Sequence, residues 1–227
     1  MITDSTVVFD TRTWNPIVMC DRNNGECSNC YTFMENNRLH KIWIDNKDDT
    51  TWPNHKPHCE VQLIEDRLRE PMRWRKPSMI AVNDLSDLCN PSVPLEYIQN
   101  VLEVVAVCPR HIFQISTKRP DRLYDAIMVW QKHDIVPQNL WIGINVNDQN
   151  IMEPFVSMLL AIPAVLHWIC IDPFISPIDL GKWLGGDKET ESHLDWVVAS
   201  ESVDPYWMYA LYRQCREANV TFTIKQQ

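Results

Sequence analysis

Seven short runs of apolar, mostly β-branched or aromatic residues recur along the chain and predict β-strands. They occupy residues 7–9, 79–82, 112–115, 140–144, 166–171, 196–199 and 220–224. Most of these runs are apolar at nearly every position, which is typical of parallel strands that are covered on both faces. Segments with helical spacing lie between them, at residues 94–107, 121–132, 153–160 and 205–218. This alternation predicts an α/β fold with right-handed crossover connections.

Polar residues directly follow six of the predicted strands. These polar segments are residues 83–87, 116–119, 145–148, 172–173, 200–202 and 225–226. The carboxyl ends of parallel strands meet at one edge of a sheet or barrel, and that edge carries the active site in such folds. One polar loop after a strand carries little information, but six in succession predict a shared site.

The domain organisation follows from the length and from one irregular segment. A chain of 227 residues fits one large domain. Residues 36–77 depart from the alternation because they are rich in His, Pro, Trp and charge, and we expect an irregular insertion on the face of the strand ends. The sequence shows no linker and no repeat of high similarity, so we predict a single domain over residues 1–227.

Charge, glycine content and the amino-terminal sequence exclude several classes of protein. The excess of 30 acidic over 21 basic residues opposes non-specific binding to a phosphate backbone. Five glycines are few, and neither a Walker loop nor a dinucleotide fingerprint occurs. The first residues lack a signal-peptide pattern, and Pro163 breaks the longest uncharged run. We therefore expect neither export nor membrane insertion, but a cytoplasmic protein with reduced cysteines, in the host cytoplasm if a phage encodes it.

Three of the eight cysteines, Cys20, Cys27 and Cys30, fall within eleven residues. Three clustered thiolates can bind three irons of a [4Fe-4S] cube and leave the fourth iron open for another ligand. Zinc is the competing metal, and its fourth ligand would be one of Cys59, His40, His55 and His58. Packing of unrelated thiols is a third interpretation, which the polar residues around the three cysteines disfavour. Core packing is instead expected for Cys89, Cys108, Cys170 and Cys215.

Ordered blocks of sequence extend through nearly the whole chain. The first blocks are residues 13–16 (Thr-Trp-Asn-Pro), Cys20, and residues 27–31 (Cys-Ser-Asn-Cys-Tyr). Later blocks lie at residues 73–77, 82–88, 113–120, 141–143, 177–180, 195–198, 214–216 and 225–226. In this order the blocks resemble the phage Gp37/Gp68 family of three-cysteine proteins, which looks like a branch of the radical S-adenosylmethionine (SAM) enzymes.

The resemblance implies a partial (β/α) barrel with a [4Fe-4S] cluster on Cys20, Cys27 and Cys30 and with SAM on the open iron. Reduction of SAM would yield a 5′-deoxyadenosyl radical that abstracts hydrogen from a substrate. An electron donor is then required, and the substrate would be a small molecule or nucleotide, including a modified base. The cofactor-binding residues that the resemblance implies are Asn83, Ser86, Asp87, Lys118, Arg119, Glu201, Ser202 and Lys225.

The chain departs from the pattern of this family at two turns. Met19 stands where the family has a glycine before the first cysteine. Residues 199–203 read Ala-Ser-Glu-Ser-Val in place of Gly-Gly-Glu-Ser-Gly. Glycine permits close approach of the backbone to a ligand, so its loss predicts a different substrate or weakened activity.

A basic run offers an alternative function. We call it the basic surface, and it comprises Arg67, Arg69, Arg73, Arg75 and Lys76 around Trp74. Guanidinium groups beside an aromatic ring suit the phosphates and bases of nucleic acid. The acidic residues next to this basic run instead favour an ordinary solvated surface with ion pairs. The alternative to the radical SAM enzyme is therefore a non-catalytic, zinc-stabilised module that contacts nucleic acid through the basic surface.

Overall fold

Parallel strands form the centre of the protein. A computed structural model describes residues 12–20, 61–132, 134–185, 193–201 and 204–225. The strands in this part of the chain are β1 Arg12–Trp14, β2 Ile17–Val18, β3 Gln62–Leu63, β4 Met79–Val82, β5 Ile112–Thr117, β6 Leu140–Val146, β7 Leu166–Ile171, β8 Trp196–Ala199 and β9 Thr221–Ile224. Strands β2 and β3 pair antiparallel, and the other seven form one sheet.

The large sheet adds its strands in chain order, β1-β4-β5-β6-β7-β8-β9. Every neighbouring pair is parallel. The sheet curls into a half-barrel, which confirms the predicted partial β/α barrel at the level of architecture. Because the seven strands run in the same direction, their carboxyl ends lie at one edge of the half-barrel, which we call the carboxyl edge.

Helices connect the strands. The described helices are α1 Glu65–Leu68, α2 Glu70–Arg73, α3 Leu95–Ala106, α4 Pro120–Gln131, α5 Gln149–Leu160 and α6 Pro205–Glu217. Each of the four long helices, α3 to α6, joins two strands that are neighbours in the sheet. No helix in the described ranges is long and apolar enough to cross a membrane.

The hydrophobic pattern predicts most of these elements closely. Three of the predicted strands match β4, β7 and β8 to the residue, while β5 and β6 run two residues further than predicted. The predicted strand at residues 7–9 lies outside the described residues. The pattern misses β1 because Arg12 and Thr13 are polar and exposed, and only Trp14 of that strand is buried.

The start of α5 illustrates how a side chain decides a helix boundary. The helical spacing in the sequence predicts a start at residue 153. The helix in fact begins one turn earlier, at Gln149. The Asp148 side chain accepts a hydrogen bond of 2.7 Å from the backbone N–H of Asn150, and this cap stabilises the earlier start.

The described end of the predicted insertion, residues 61–77, packs on the sheet. It contains β3, α1 and α2, and β3 pairs with β2. The indole Nε1 of Trp14 donates a 2.8 Å hydrogen bond to the carbonyl of Arg67. Leu68 and Trp74 contact the main core, which ties this segment to β1 and its neighbours.

Side chains of the sheet alternate between two faces. One face, which includes Ile115, Ile144 and Ile171, joins the long helices in the main core. The other face, which we call the inner face, carries one row of residues that are neighbours in the register: Ser116, Gly143, Trp168 and Trp196. Trp168 and Trp196 belong to a separate cluster, with ring centroids 5.5 Å apart. The two faces therefore differ in chemistry, because the inner face combines indoles with polar side chains.

A side chain at position 143 would collide with Trp168. A Cβ built on Gly143 lies 2.5 Å from Cδ2 and 2.7 Å from Nε1 of that indole. We expect Gly143→Ala to lower the free energy of unfolding by about 1–3 kcal/mol, measured by chemical denaturation. The double variant Gly143→Ala with Trp168→Leu should cost less than the sum of the single changes, because the smaller side chain leaves room. If the losses of unfolding free energy in the two single variants simply add in the double variant, the contact between position 143 and Trp168 is contradicted.

The buried ring of His167 makes stability depend on pH. Burial lowers the pKa of His167, although the hydrogen bond of 2.7 Å between Nε2 and the Ile162 carbonyl acts in the opposite direction. The unfolded chain, with a histidine pKa of about 6.5, therefore takes up the proton first as the pH falls. The stability that neutral His167 contributes is complete above about pH 6.5 and is lost as the pH falls below that value.

His167→Gln removes the titrating ring but keeps an N–H donor for the Ile162 carbonyl. The variant should lose less of its melting temperature than the parent between pH 7 and pH 5, measured by differential scanning calorimetry. His111 is also buried with a lowered pKa, but it is present in both proteins and cancels in the comparison. Equal losses in the two proteins would show that His167 does not titrate as described.

Candidate functional site

The predicted polar segments meet at the carboxyl edge. Asn83 follows β4, Lys118 follows β5, Asp172 follows β7 and Lys225 follows β9. Parallel strands in one sheet bring these residues to the same side of the half-barrel. Ser86 and Asp87 lie in the loop after β4, Arg119 lies in the loop after β5, and Glu201 lies after β8 at the same edge. Ser202 lies outside the described residues.

Asp87 joins the loops after β4 and β5. Its Oδ1 accepts hydrogen bonds from the backbone N–H of Cys89 at 2.9 Å and from Thr117 Oγ1 at 2.7 Å. Its Oδ2 accepts from the backbone N–H of Lys118 at 3.2 Å and from Arg119 Nη1 at 2.8 Å. The Asp87 side chain is only 11% exposed, so this ion pair is largely shielded from water. A single carboxylate thus fixes both loops.

Asn83 and Ser86 tie the same loop to the segment that contains the first cysteine. Asn83 adopts a left-handed backbone with φ of 59°, which asparagine tolerates better than most residues. Its Oδ1 accepts a 3.2 Å hydrogen bond from the backbone N–H of Ile17. Ser86 Oγ donates a 2.6 Å hydrogen bond to the carbonyl of Met19. These two predicted cofactor residues therefore hold the chain just before Cys20.

Cys20 is half-buried and receives a hydrogen bond from Asn90. The Nδ2 of Asn90 lies 3.6 Å from Cys20 Sγ. Asn90 is fully buried, and its Oδ1 accepts a 2.9 Å hydrogen bond from the backbone N–H of Ser92, which turns the NH₂ group toward the sulfur. An amide donor stabilises negative charge on sulfur, as a neighbour of a thiolate ligand does.

Arg122 on α4 holds the Asn90 loop from the other side. Its Nη1 donates to the carbonyl of Asn90, and its Nη2 donates to the carbonyl of Val93 at 2.7 Å. The sequence does not indicate the roles of Arg122 and Asn90, and it places Thr117 only within the polar segment 116–119. The presence of an asparagine or a threonine in a polar loop does not reveal which partner it will meet, since the partners lie about 30 to 70 residues away.

The backbone at Met19 is left-handed, with φ of 66°. This region favours glycine, because a Cβ crowds the following carbonyl oxygen. A glycine, which the sequence resemblance predicts at this position, would adopt the observed conformation without strain. The chain carries a methionine in this strained turn just before Cys20.

A second ion pair lies on the far side of the carboxyl edge. Lys225 Nζ lies 2.8 Å from Asp172 Oδ2, which links the ends of β9 and β7. Between them Ser200, which is buried, accepts a 3.0 Å hydrogen bond on Oγ from the backbone N–H of Phe174. Glu201 is exposed at the end of β8. The pair is partly exposed, so it positions Lys225 more than it stabilises the fold.

Of the predicted metal ligands, Cys20 lies within the described residues. Cys27, Cys30, Cys59, His40, His55 and His58 lie outside the described residues. Within the described ranges, no three His, Cys, Asp or Glu side chains are grouped closely enough to hold a metal ion. Cys20 itself fits a cluster ligand, because the residue is half-buried at the carboxyl edge and its sulfur faces a buried N–H donor.

The remaining described cysteines pack in the core, as predicted. Cys89, Cys108, Cys170 and Cys215 are all buried. Burial raises the pKa of Cys170 and of Cys215 to about 12, so both are neutral thiols at neutral pH. Burial likewise raises the pKa values of Cys89 and Cys108. Neutral buried thiols are poor metal ligands, and Cys20 is set apart from them.

The basic surface lies away from the carboxyl edge. Arg69, Arg73, Arg75 and Lys76 are exposed in the segment that leads to the start of β4. Trp74 is partly buried against the main core, and the guanidinium of Arg12 lies 5.0 Å from the centre of its ring. The aromatic ring is thus engaged inside the protein, while the charges around it face solvent.

Two open clefts lie at the opposite edge of the half-barrel. Their volumes are about 690 and 460 Å³, and both are lined by residues 163–165, which precede β7. The smaller cleft also contains His193 and Asp195, whose Nε2 and Oδ1 lie 3.5 Å apart. Neither cleft touches the predicted site residues. Their size alone does not make them functional, because parallel sheets carry their chemistry at the carboxyl ends of the strands.

The fold and site define a class of protein: an α/β half-barrel whose loops at the carboxyl edge are joined by charged and amide side chains. The model of the family described as "Protein of unknown function (DUF5131)" matches residues 4–227, and the chain belongs to this family. The match includes Cys20, Cys27 and Cys30 as well as the whole sheet. No curated protein and no solved structure matches the chain.

Removal of the Asp87 charge should destabilise the protein. We expect Asp87→Asn to lower the free energy of unfolding by about 2–4 kcal/mol, because the Arg119 guanidinium then loses its shielded partner. The matched control is Glu217→Gln, which removes a carboxylate from an exposed pair with Arg213 at 2.6 Å and should leave the melting temperature unchanged. Similar losses in the two variants, measured by chemical and thermal denaturation, would refute the importance of the Asp87 network.

Proposed function

We propose that this chain is a radical SAM enzyme that acts on a nucleotide or modified-base substrate of phage or prophage origin. In this proposal Cys20, Cys27 and Cys30 bind a [4Fe-4S] cluster. The observation that carries the proposal is the position of Cys20, at the carboxyl edge of a parallel half-barrel and beside the buried amide of Asn90. The bound cluster and SAM together supply a 5′-deoxyadenosyl radical for hydrogen abstraction.

The residues of the chain have separate tasks in this proposal. Asn90 donates a hydrogen bond to the first cysteine sulfur, and Ser86 holds the turn that precedes it. Asp87 keeps Thr117 and Arg119 beside this loop. Lys118, Arg119 and Lys225 are the cations at the carboxyl edge, and Arg119 and Lys225 are held there by ion pairs. Cations suit the carboxylate of SAM or a phosphate group. Asn83, Glu201 and Ser202 complete the proposed cofactor-binding set.

The second candidate is a non-catalytic, zinc-stabilised module that binds nucleic acid. The exposure of four cationic side chains in the basic surface favours it. The partial burial of Trp74 weighs against it, because a ring that packs on the core offers little area for base stacking. The net charge of −9 also opposes nucleic acid binding. We therefore place the function at the carboxyl edge.

Metal content separates the two candidates. Protein purified without oxygen should be brown and contain about four iron atoms per chain if one cubane is bound. The triple variant Cys20→Ala, Cys27→Ala, Cys30→Ala should lose this iron, and with it the release of 5′-deoxyadenosine from SAM under reducing conditions. A core cysteine provides the control, since Cys215→Ala should keep the iron.

Three results would contradict the proposal in whole or in part. A colourless protein with one tightly bound zinc per chain would favour the zinc-stabilised module. Iron that persists in the triple variant would place the ligands elsewhere in the chain. A cluster without SAM cleavage would identify a family member that has lost its catalytic activity, in line with the substitutions at residues 19 and 199–203.

A further inference from the structure

The inner face of the half-barrel contains a buried amide whose hydrogen-bonding groups are unused. Gln114 is only 3% exposed. Neither its Nε2 nor its Oε1 has a hydrogen-bond partner in the described part of the chain. The Oγ of Ser116, two residues further along β5, is also buried and has no described partner. Alternation along the strand places both side chains on the same face.

A third such group lies on the neighbouring strand. The Nδ2 of Asn83 is buried without a partner among the described residues, while its Oδ1 is bound to Ile17. Asn83 directly follows Val82, which pairs with Ile115 of β5. Asn83, just after the end of β4, therefore lies beside Ser116, and the three side chains with unused groups lie close together.

An aromatic ring borders this polar group of residues. Ser116 is opposite Gly143 in the register, and Gly143 is opposite Trp168. The Trp168 indole lies directly against Gly143, as the short approach to a Cβ at that position shows. Since Gly143 has no side chain, the indole can extend across β6 toward β5. The buried indole, of which 3% of the residue is exposed, thus lies beside the amide and hydroxyl groups of the inner face.

Burial of an unpaired amide costs free energy, so few buried amides in folded proteins lack a partner. Two such amides and one hydroxyl that lie close together are better explained by a partner from outside the chain. An amide presents a donor and an acceptor side by side, which matches the edge of a nucleobase. Stacking on an aromatic side chain together with hydrogen bonds to the base edge is the way in which enzymes hold an unstacked base.

We propose that the inner face binds a nucleobase of the substrate, with Gln114 forming hydrogen bonds to its edge, Ser116 and Asn83 supplying further hydrogen bonds, and Trp168 bordering the ring. This inference rests on the proposed function for the assignment of that base to a substrate. The base-binding site itself depends only on the inner face. The inference assigns recognition of the proposed nucleotide or modified-base substrate to specific residues.

Isothermal titration calorimetry of the full chain with adenosine, guanosine, cytidine and uridine tests the site. At least one nucleoside should bind, and Gln114→Met should weaken that binding by about 10- to 100-fold. Ser116→Ala, a smaller change, should weaken it several-fold. The control is Gln131→Met, because Gln131 is exposed at the end of α4 and should leave binding unchanged.

The melting temperature of the ligand-free protein provides a second readout. Gln114→Met should leave it unchanged or raise it, because the variant replaces an unpaired buried amide with an apolar side chain. A marked fall would show that Gln114 has an internal partner and would overturn the inference. Absence of nucleoside binding at millimolar concentration, or binding that is insensitive to both substitutions, would also overturn it.

A titration in the presence of SAM distinguishes the two possible sources of the base. If SAM leaves nucleoside binding intact, the site serves a substrate, as proposed. If SAM displaces the nucleoside, the residues hold the adenine of SAM, and the assignment to substrate is wrong. Colourless protein that binds a nucleoside through Gln114 would refute the radical SAM function alone. Brown protein that cleaves SAM without binding any nucleoside would refute only this inference.

Discussion

The carboxylate of Asp87 is the interaction on which the carboxyl edge depends. Strands β4 and β5 are neighbours in the sheet, but the sheet alone does not determine how their loops approach each other. Asp87 accepts four hydrogen bonds, from two backbone N–H groups, one hydroxyl and one guanidinium. With its partners in place, Asn90 is oriented toward the Cys20 sulfur and Ser86 toward the preceding turn. The first cysteine is thus positioned by contacts that originate in another loop.

Much of the fold can be predicted from the sequence because its signal is local and redundant. A strand such as Leu166–Ile171 is apolar at almost every position, since its side chains are buried on both faces of the sheet. Helix α3 repeats its buried residues at intervals of three and four, so its bounds follow closely. In contrast, β1 has one buried residue and no apolar run, and only its pairing with β4 makes it a strand.

The candidate site is less predictable, since its contacts join distant segments. The order of polar loops is enough to place Asn83, Lys118 and Lys225 at one edge. It does not indicate that Asp87 would be enclosed by donors, or that Asn90 would face Cys20, because neither residue has a local pattern. Gln114 is missed for a related reason, since a polar residue inside an apolar strand resembles a break in the pattern. The structure shows instead that it is buried on a face with its own chemistry.

The left-handed backbone of Met19 introduces strain into the turn just before Cys20. An L-residue in that conformation costs about 1–2 kcal/mol relative to its relaxed state, and local opening of the turn would release this strain while the sheet stays folded. Ser86 holds the turn closed through one hydrogen bond to the same residue. The half-barrel thus supports a strained turn, and any ligand that bound the Cys20 sulfur would help to hold that turn in place.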